Sequence, residues 1–170
     1  MSRRRLYTGR IVTLDVEDVH LPNGVDARFE IVGHPGGAAV VPVDAAGRVC
    51  LIRQYRHVLG DWIWEVPAGK LDGRDPAVTA RLELREEVGL EAGRLESLGS
   101  IVMSPGVYTE VVHLFVALDL HAVPSQPELD EIIEVHWLPL EDARRAALDG
   151  TYTDAKTVVA VLRAAAYIGR

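Results

Sequence analysis

Residues 69–90 read GKLDGRDPAVTARLELREEVGL, and the fold turns on how that stretch is placed. Asp75 followed by Pro76 is a helix start: a carboxylate that accepts from unpaired backbone N–H groups, then a ring whose missing N–H is not needed there. Gly89 is the matching stop, free to adopt the left-handed conformation that closes helices. The spacing predicts a helix running from Pro76 to about Val88. At 100° per residue, Glu87 lies about 40° to one side of Glu83 and Glu86 about 60° to the other. Ala77, Ala80, Leu84 and Val88 form an apolar stripe beginning next to those acids, while Arg81 and Arg85 lie roughly opposite. Like charges at this spacing weaken a helix by about a few tenths of a kcal/mol per pair. A solvated charged face is the bland explanation. The run EVPAGKL just before the helix favours another: its end delivers a tight glycine turn beside the acids. A backbone carbonyl at Ala68 or Gly69 can then join the carboxylates as a hard oxygen donor for Mg²⁺ or Mn²⁺.

Outward from that helix the chain alternates strands and helices. RIVTLDVEDVHL and DARFEIVGH alternate apolar and polar residues around PNGV, with Asn23-Gly24 as a hairpin turn. HPGG (His34–Gly37) punctuates the chain and divides an N-terminal β extension, 1–36, from a main body, 37–170. AAVVPVD and RVCLIRQYRH read as a second hairpin about the turn AAG, and the unbroken apolar run AVVPV predicts a strand covered on both faces. DWIWEVPAGKL reads as one extended run ending at Gly69. Strands follow within LESLGSIVMSPGV, EVVHLFVALDLHAV and IIEVHWLP, then helices in LEDARRAALDG and TDAKTVVAVLRAAAYIG. The last helix carries Val158, Val161, Leu162, Ala165 and Ile168 on one stripe. The fold class is α/β: a mixed sheet with helices on both faces and an antiparallel β segment in front.

The totals narrow the chemistry. A chain of 170 residues, 48% hydrophobic and 25% charged, is one globular domain's worth of core. A net charge of −7 argues against nucleic acid and anionic membrane as partners, and an anionic substrate would need local cations. A single cysteine, Cys50, excludes a disulfide framework and a cysteine-built zinc site. The basic N-terminus lacks the apolar run of a signal peptide and no segment is long enough to span a bilayer, so a cytoplasmic location is expected. His57, His113 and His136 show no ligand spacing, and Ser104 has no visible His/Asp partners for a serine hydrolase.

Gly69–Leu90 resembles the Nudix box, G-x5-E-x7-R-E-U-x-E-E-x-G-U with U apolar. Glu83 matches the Glu of R-E-U, Glu86 and Glu87 the E-E pair, and Gly89-Leu90 the final G-U. The chain departs from the pattern twice. The span from Gly69 to Glu83 is one residue short, which sets Asp75 roughly where the first Glu belongs. Leu82 stands where the box has Arg, a side chain that would lie about 40° from Glu86 and pair with it.

The resemblance implies a Nudix-type α/β/α sandwich that hydrolyses a diphosphate linked to another group, with Mg²⁺, or Mn²⁺, as cofactor. It assigns Glu83 and Glu87 as metal ligands with the carbonyl of Ala68, and Glu86 as a ligand through water or an orienter of water. Pro105 in SPGVYTE, beyond the box, is similar to a marker of the ADP-ribose pyrophosphatase branch, and Glu110 follows it as a substrate contact. RQYRH resembles the segment that brings Arg53 and Arg56 to the nucleotide. The N-terminal extension resembles one that exchanges between subunits, which implies a homodimer. Of the acids in SQPELDEIIEV, Glu131 best fits the general base, Glu128 is its neighbour, and Glu134 alternates outward. ADP-ribose is the first-choice substrate. Another nucleotide sugar such as GDP-mannose, or a catalytically weak nucleotide-sensing module, are the alternatives.

Overall fold

The computed structural model describes residues 2–126 and 131–169. Three strands come first: β1 (Ser2–Thr8), β2 (Thr13–His20) and β3 (Asp26–Gly33), an antiparallel sheet in the order β1-β2-β3. Asn23-Gly24 makes its second turn as the sequence predicts, with Gly24 at φ 83°. The first strand is an addition to the sequence reading, which placed no strand boundary before Arg10; it is exposed along its whole length. Its pairing holds Arg3 and Arg5 on the buried carboxylate of Asp15. The sheet joins the body where the Val32 N–H donates to the Val107 carbonyl (2.7 Å) and the Thr109 N–H to the Val32 carbonyl (3.0 Å).

The body contains β4 (Gly37–Pro42), β5 (Arg48–Arg56), β6 (Asp61–Glu65), β7 (Ala68–Lys70), α1 (Pro76–Val88), β8 (Leu90–Val102), β9 (Val111–Ala122), β10 (Ile133–Pro139), α2 (Leu140–Asp149) and α3 (Ala155–Ile168). They form two sheets, β7-β4-β9-β8 and β10-β5-β6, and within the first β4 runs parallel to β9. β4 is buried at every residue, as its apolar run requires. Its alternate residues build two cores. Ala39 and Val41 pack with Leu114, Val116 and Ala160, Val161 and Ala164 of α3 on one side. Ala38 and Val40 pack with Phe115, Ala117 and Ala80 and Leu84 of α1 on the other. The result is the expected α/β/α layering.

Three expectations are corrected. β4 and β5 are not a hairpin: the turn at Asp44 forms, but beyond a single bridge, Val43 to Val49, the strands part into different sheets. β4 takes β7 and β9 as neighbours instead, because its doubly apolar faces fit only a central position. The run DWIWEVPAGKL breaks into β6 and β7 at Val66-Pro67, where proline has no N–H to continue a ladder and its carbonyl accepts from the Val40 N–H (2.9 Å). In α3 the buried face is Thr157, Ala160, Val161 and Ala164, with Ile168 40% exposed. Small side chains let the helix backbone approach the sheet, and the larger Val158 and Leu162 pack at the flanks. Among the described residues no helix is long and apolar enough to cross a membrane.

Candidate active site

α1 begins and ends where its caps dictate. Asp75 Oδ1 accepts from the Ala77 N–H (2.8 Å), and Gly89 at φ 64° closes the helix with its N–H on the Arg85 carbonyl (3.1 Å). The acidic edge therefore falls against β7. Glu87 is buried, and its Oε2 accepts from the Ala68 N–H at 2.9 Å. Burial raises its carboxyl well above the usual glutamate range, and the negative charges of Glu83 and Glu131 push it further the same way. Glu83 lies directly over Gly69, where a β-carbon would overlap its carboxylate. That close approach is why glycine must follow Ala68.

In front of these acids is a cavity of about 580 Å³. Of the expected site residues, Ala68, Glu83, Glu86, Glu131, Glu110 and Arg56 line it, and Glu87 lies behind Ala68 in its wall. Two do not. Pro105 sits in a turn in which the Tyr108 N–H donates to the Ser104 carbonyl (2.9 Å), while its neighbour Met103 reaches the cavity. Arg53 lies over the rings of Trp62 and Trp64, 5.8 Å from each centroid, and 3.7 Å from Glu134. Glu134 pairs there and is not among the residues that line the cavity, and Glu128 lies outside the described residues.

Sequence reasoning missed a charged network in the same wall. Arg56 donates Nε and Nη2 to the two oxygens of Glu65 (2.6 and 2.7 Å). Lys156 Nζ donates to Glu65 as well and to Asp154 (3.0 Å). Burial pushes Glu65 up, but the two cations outweigh it and leave its carboxyl below the usual range. Desolvation alone would lower Lys156; Glu65 and Asp154 reverse that and raise it. No local signal marks these residues, since the contact joins positions 65 and 156. Ile11 and His34 reach the cavity from the N-terminal sheet and its joint, so the extension contributes to the site within one chain.

The donor set fits a hard divalent cation: carboxylates crowded at a rim, one with its pKa raised by burial and then by the charges of the others, beside an open backbone strand. Among the described residues no three acidic, His or Cys side chains already converge on one point. The substitution at Leu82 has a visible consequence. Leu82 lines the cavity, and the Glu86 carboxylate has no hydrogen bond or ion pair among the described residues. Arg81 is occupied by the Ala92 carbonyl (2.8 Å) and Arg85 by Glu91 (3.2 Å), so neither replaces the missing arginine.

The NUDIX domain profile matches residues 33–161. The chain belongs to the Nudix family. Two relatives each align over 95% of it. The ADP-ribose pyrophosphatase of Bacillus subtilis (strain 168) is 40% identical over 164 residues, 95% of this chain and 89% of that protein. The methanol dehydrogenase activator of Bacillus methanolicus is 41% identical over 164 residues with the same coverage. A crystal structure of an ADP compounds hydrolase superposes with a TM-score of 0.85 over 99% of this chain and 92% of its own, at 23% identity. That match shows the fold of this Nudix chain, including its N-terminal sheet.

Proposed function

We propose that this Nudix chain is a Mg²⁺-dependent hydrolase of nucleoside diphosphate sugars and that ADP-ribose is its substrate, cleaved by water to AMP and ribose 5-phosphate. The observation that carries the reading is Glu87: a buried acid with a raised pKa, anchored on the Ala68 N–H and repelled by Glu83 and Glu131, at the wall of a cavity large enough for a nucleotide. Glu83, Glu86, Glu87 and the Ala68 carbonyl would hold the metal, with Mn²⁺ as an alternative ion. When bound, the ion neutralises phosphate oxygens and makes phosphorus more open to attack.

The chain's own residues supply the rest. Glu131 takes a proton from the attacking water as its oxygen bonds to phosphorus and the bridging P–O bond breaks. Arg56, held rigid by Glu65, presents a planar cation to the phosphates. Glu110, 3.3 Å from His34, would meet the substrate from the cavity lining. Arg53 and Pro105 act from outside the cavity lining: Arg53 through the tryptophan face it covers, Pro105 by shaping the turn that leads from Met103 to Glu110.

We read residues 1–36 as a dimer arm on the Nudix body, 37–170. Support comes from an N-terminal sheet whose first strand is wholly exposed and which leaves Leu6, Tyr7 and Phe29 in solvent. A cytoplasmic location suits a nucleotide-sugar substrate. The test is a panel of nucleotide sugars with Mg²⁺ and with Mn²⁺, scored by released phosphomonoester, beside a light-scattering mass. ADP-ribose should lead the panel and the mass should be that of two chains. Preference for GDP-mannose moves the substrate within the same chemistry. Tight binding without metal-stimulated turnover selects the sensing module, the role favoured by Leu82 and by a Glu86 carboxylate that lacks a partner among the described residues.

A further inference from the structure

Among the described residues four cations line the cavity: Arg56, Lys70, Arg74 and Lys156. Two are committed to Glu65 and Asp154. Lys70 ends β7, and Arg74 stands on the loop that leads from it to α1. Lys70 has only Asp72, at 3.9 Å between exposed groups, and the Arg74 guanidinium has no hydrogen bond or ion pair among the described residues. The cavity is otherwise rich in carboxylates, with Asp72, Glu83, Glu86, Glu110 and Glu131 facing it.

The loop is built to hold those cations in place. Asp72 and Gly73 both have positive φ, 46° and 79°, and the Arg74 N–H donates to the Leu71 carbonyl (2.8 Å). That is a tight two-residue turn of the primed type. Its base is tied by the Leu71 N–H to the Gly36 carbonyl (3.1 Å), and the next residue, Asp75, is the cap of α1. This is also the loop that is one residue shorter than the Nudix box. Counted back from Leu82, the place of the first box Glu falls on Arg74, so a cation occupies a position where the pattern has an acid; Asp75, expected roughly there, is used as the cap.

We propose that Lys70 and Arg74 are substrate-recognition residues that hold the diphosphate from the rim, separately from the carboxylate cluster; this rests on the nucleotide-sugar reading above. A protein of charge −7 repels a diphosphate at a distance, and cations at the edge of its cavity offset that repulsion. Arg74 and the weakly paired Lys70 supply the attraction. Exposed charges of this kind act on capture rather than on the barrier to P–O cleavage, and salt screens them.

The experiment compares wild type with Arg74→Gln, Lys70→Gln/Arg74→Gln, Arg74→Lys and Arg145→Gln. The last removes an equal charge from α2, which does not line the cavity. In the double variant KM for ADP-ribose should rise about tenfold with kcat within about twofold, and the dependence of KM on KCl should flatten. Arg74→Lys should recover part of the loss and Arg145→Gln should show none. Calorimetric titration of inorganic pyrophosphate with Mg²⁺ should show the same weakening without any turnover. Unchanged KM and unchanged pyrophosphate affinity in the double variant overturn the proposal, as does a fall in kcat at constant KM. If wild type cleaves no nucleotide sugar but pyrophosphate binding still depends on Arg74, the recognition site stands and the substrate reading falls.

Discussion

Glu87 is strained by its neighbours rather than by its backbone. Its carboxyl is out of water, faces Glu83 and Glu131, and has the Ala68 N–H as its fixed donor. Glu87→Gln keeps an oxygen for that N–H and removes the repelled charge. Turnover should fall by about a hundredfold or more, while the melting temperature of the metal-free protein holds or rises. Added Mg²⁺ should raise the melting temperature of wild type and not of the variant, because only a protein that binds the ion is stabilised by it. Near-normal activity in Glu87→Gln would remove the metal assignment. Leu82 makes the complementary case. Restoring a cation by Leu82→Arg places it one turn from Glu86, whose carboxylate lacks a partner among the described residues. Initial rates at saturating Mg²⁺ should rise severalfold; a variant that folds and shows no gain would mean that this chain orients Glu86 by other means.

At the scale of elements, the contact between β7 and α1 carries the site. Gly69 is required because Glu83 occupies the space of its missing side chain. The displaced group in Gly69→Ala is the far end of a flexible glutamate, so folding should change little. The carboxylate itself must swing away. Circular dichroism and the melting curve should stay near wild type, with activity down by about tenfold or more; retained activity would show that Glu83 works from another rotamer. Elements differ in how far the sequence reveals them. α1 was legible to the residue because Asp75, Pro76 and Gly89 act on their own neighbours. The β4–β5 hairpin was misread because its turn is local but strand partners are not: the faces of β4 needed cover from α1 and α3 at once. Pro67 carried the signal for the break between β6 and β7. The face of α3 was misplaced because alanine and threonine score weakly as apolar, yet they are what a closely packed helix needs. Within the site, the box acids were readable from their spacing, whereas Glu65, Lys156 and His34 had no local pattern to announce them.

Across the whole molecule, Glu65 ties α3 to the strand that leads into the site. The Lys156 and Arg56 side chains meet on its carboxylate, and one residue along the Val66 N–H donates to Thr157 Oγ1 (2.9 Å). Glu65 has a lowered pKa, so its stabilisation is complete above its usual value near 4.5 and is lost as pH falls through the depressed folded value. Lys156 has a raised pKa, so its share is complete below the usual 10.5 and is lost as pH rises through the elevated folded value. Between those limits the network contributes a constant amount. Glu65→Gln leaves the half-exposed Arg56 and the largely buried Lys156 without their shared carboxylate and should cost about 1–3 kcal/mol in urea unfolding at neutral pH, less than a fully buried pair because water screens Arg56. Its stability should also lose the acid limb, so the gap to wild type narrows as pH drops below the carboxylate range. Lys156→Met should lose less at neutral pH, because Arg56 still pairs with Glu65, and should abolish the alkaline limb instead. Two pH–stability curves that ran parallel to wild type at both ends would show that these charges are spectators, and that Thr157 and the apolar face of α3 hold the helix in place without them.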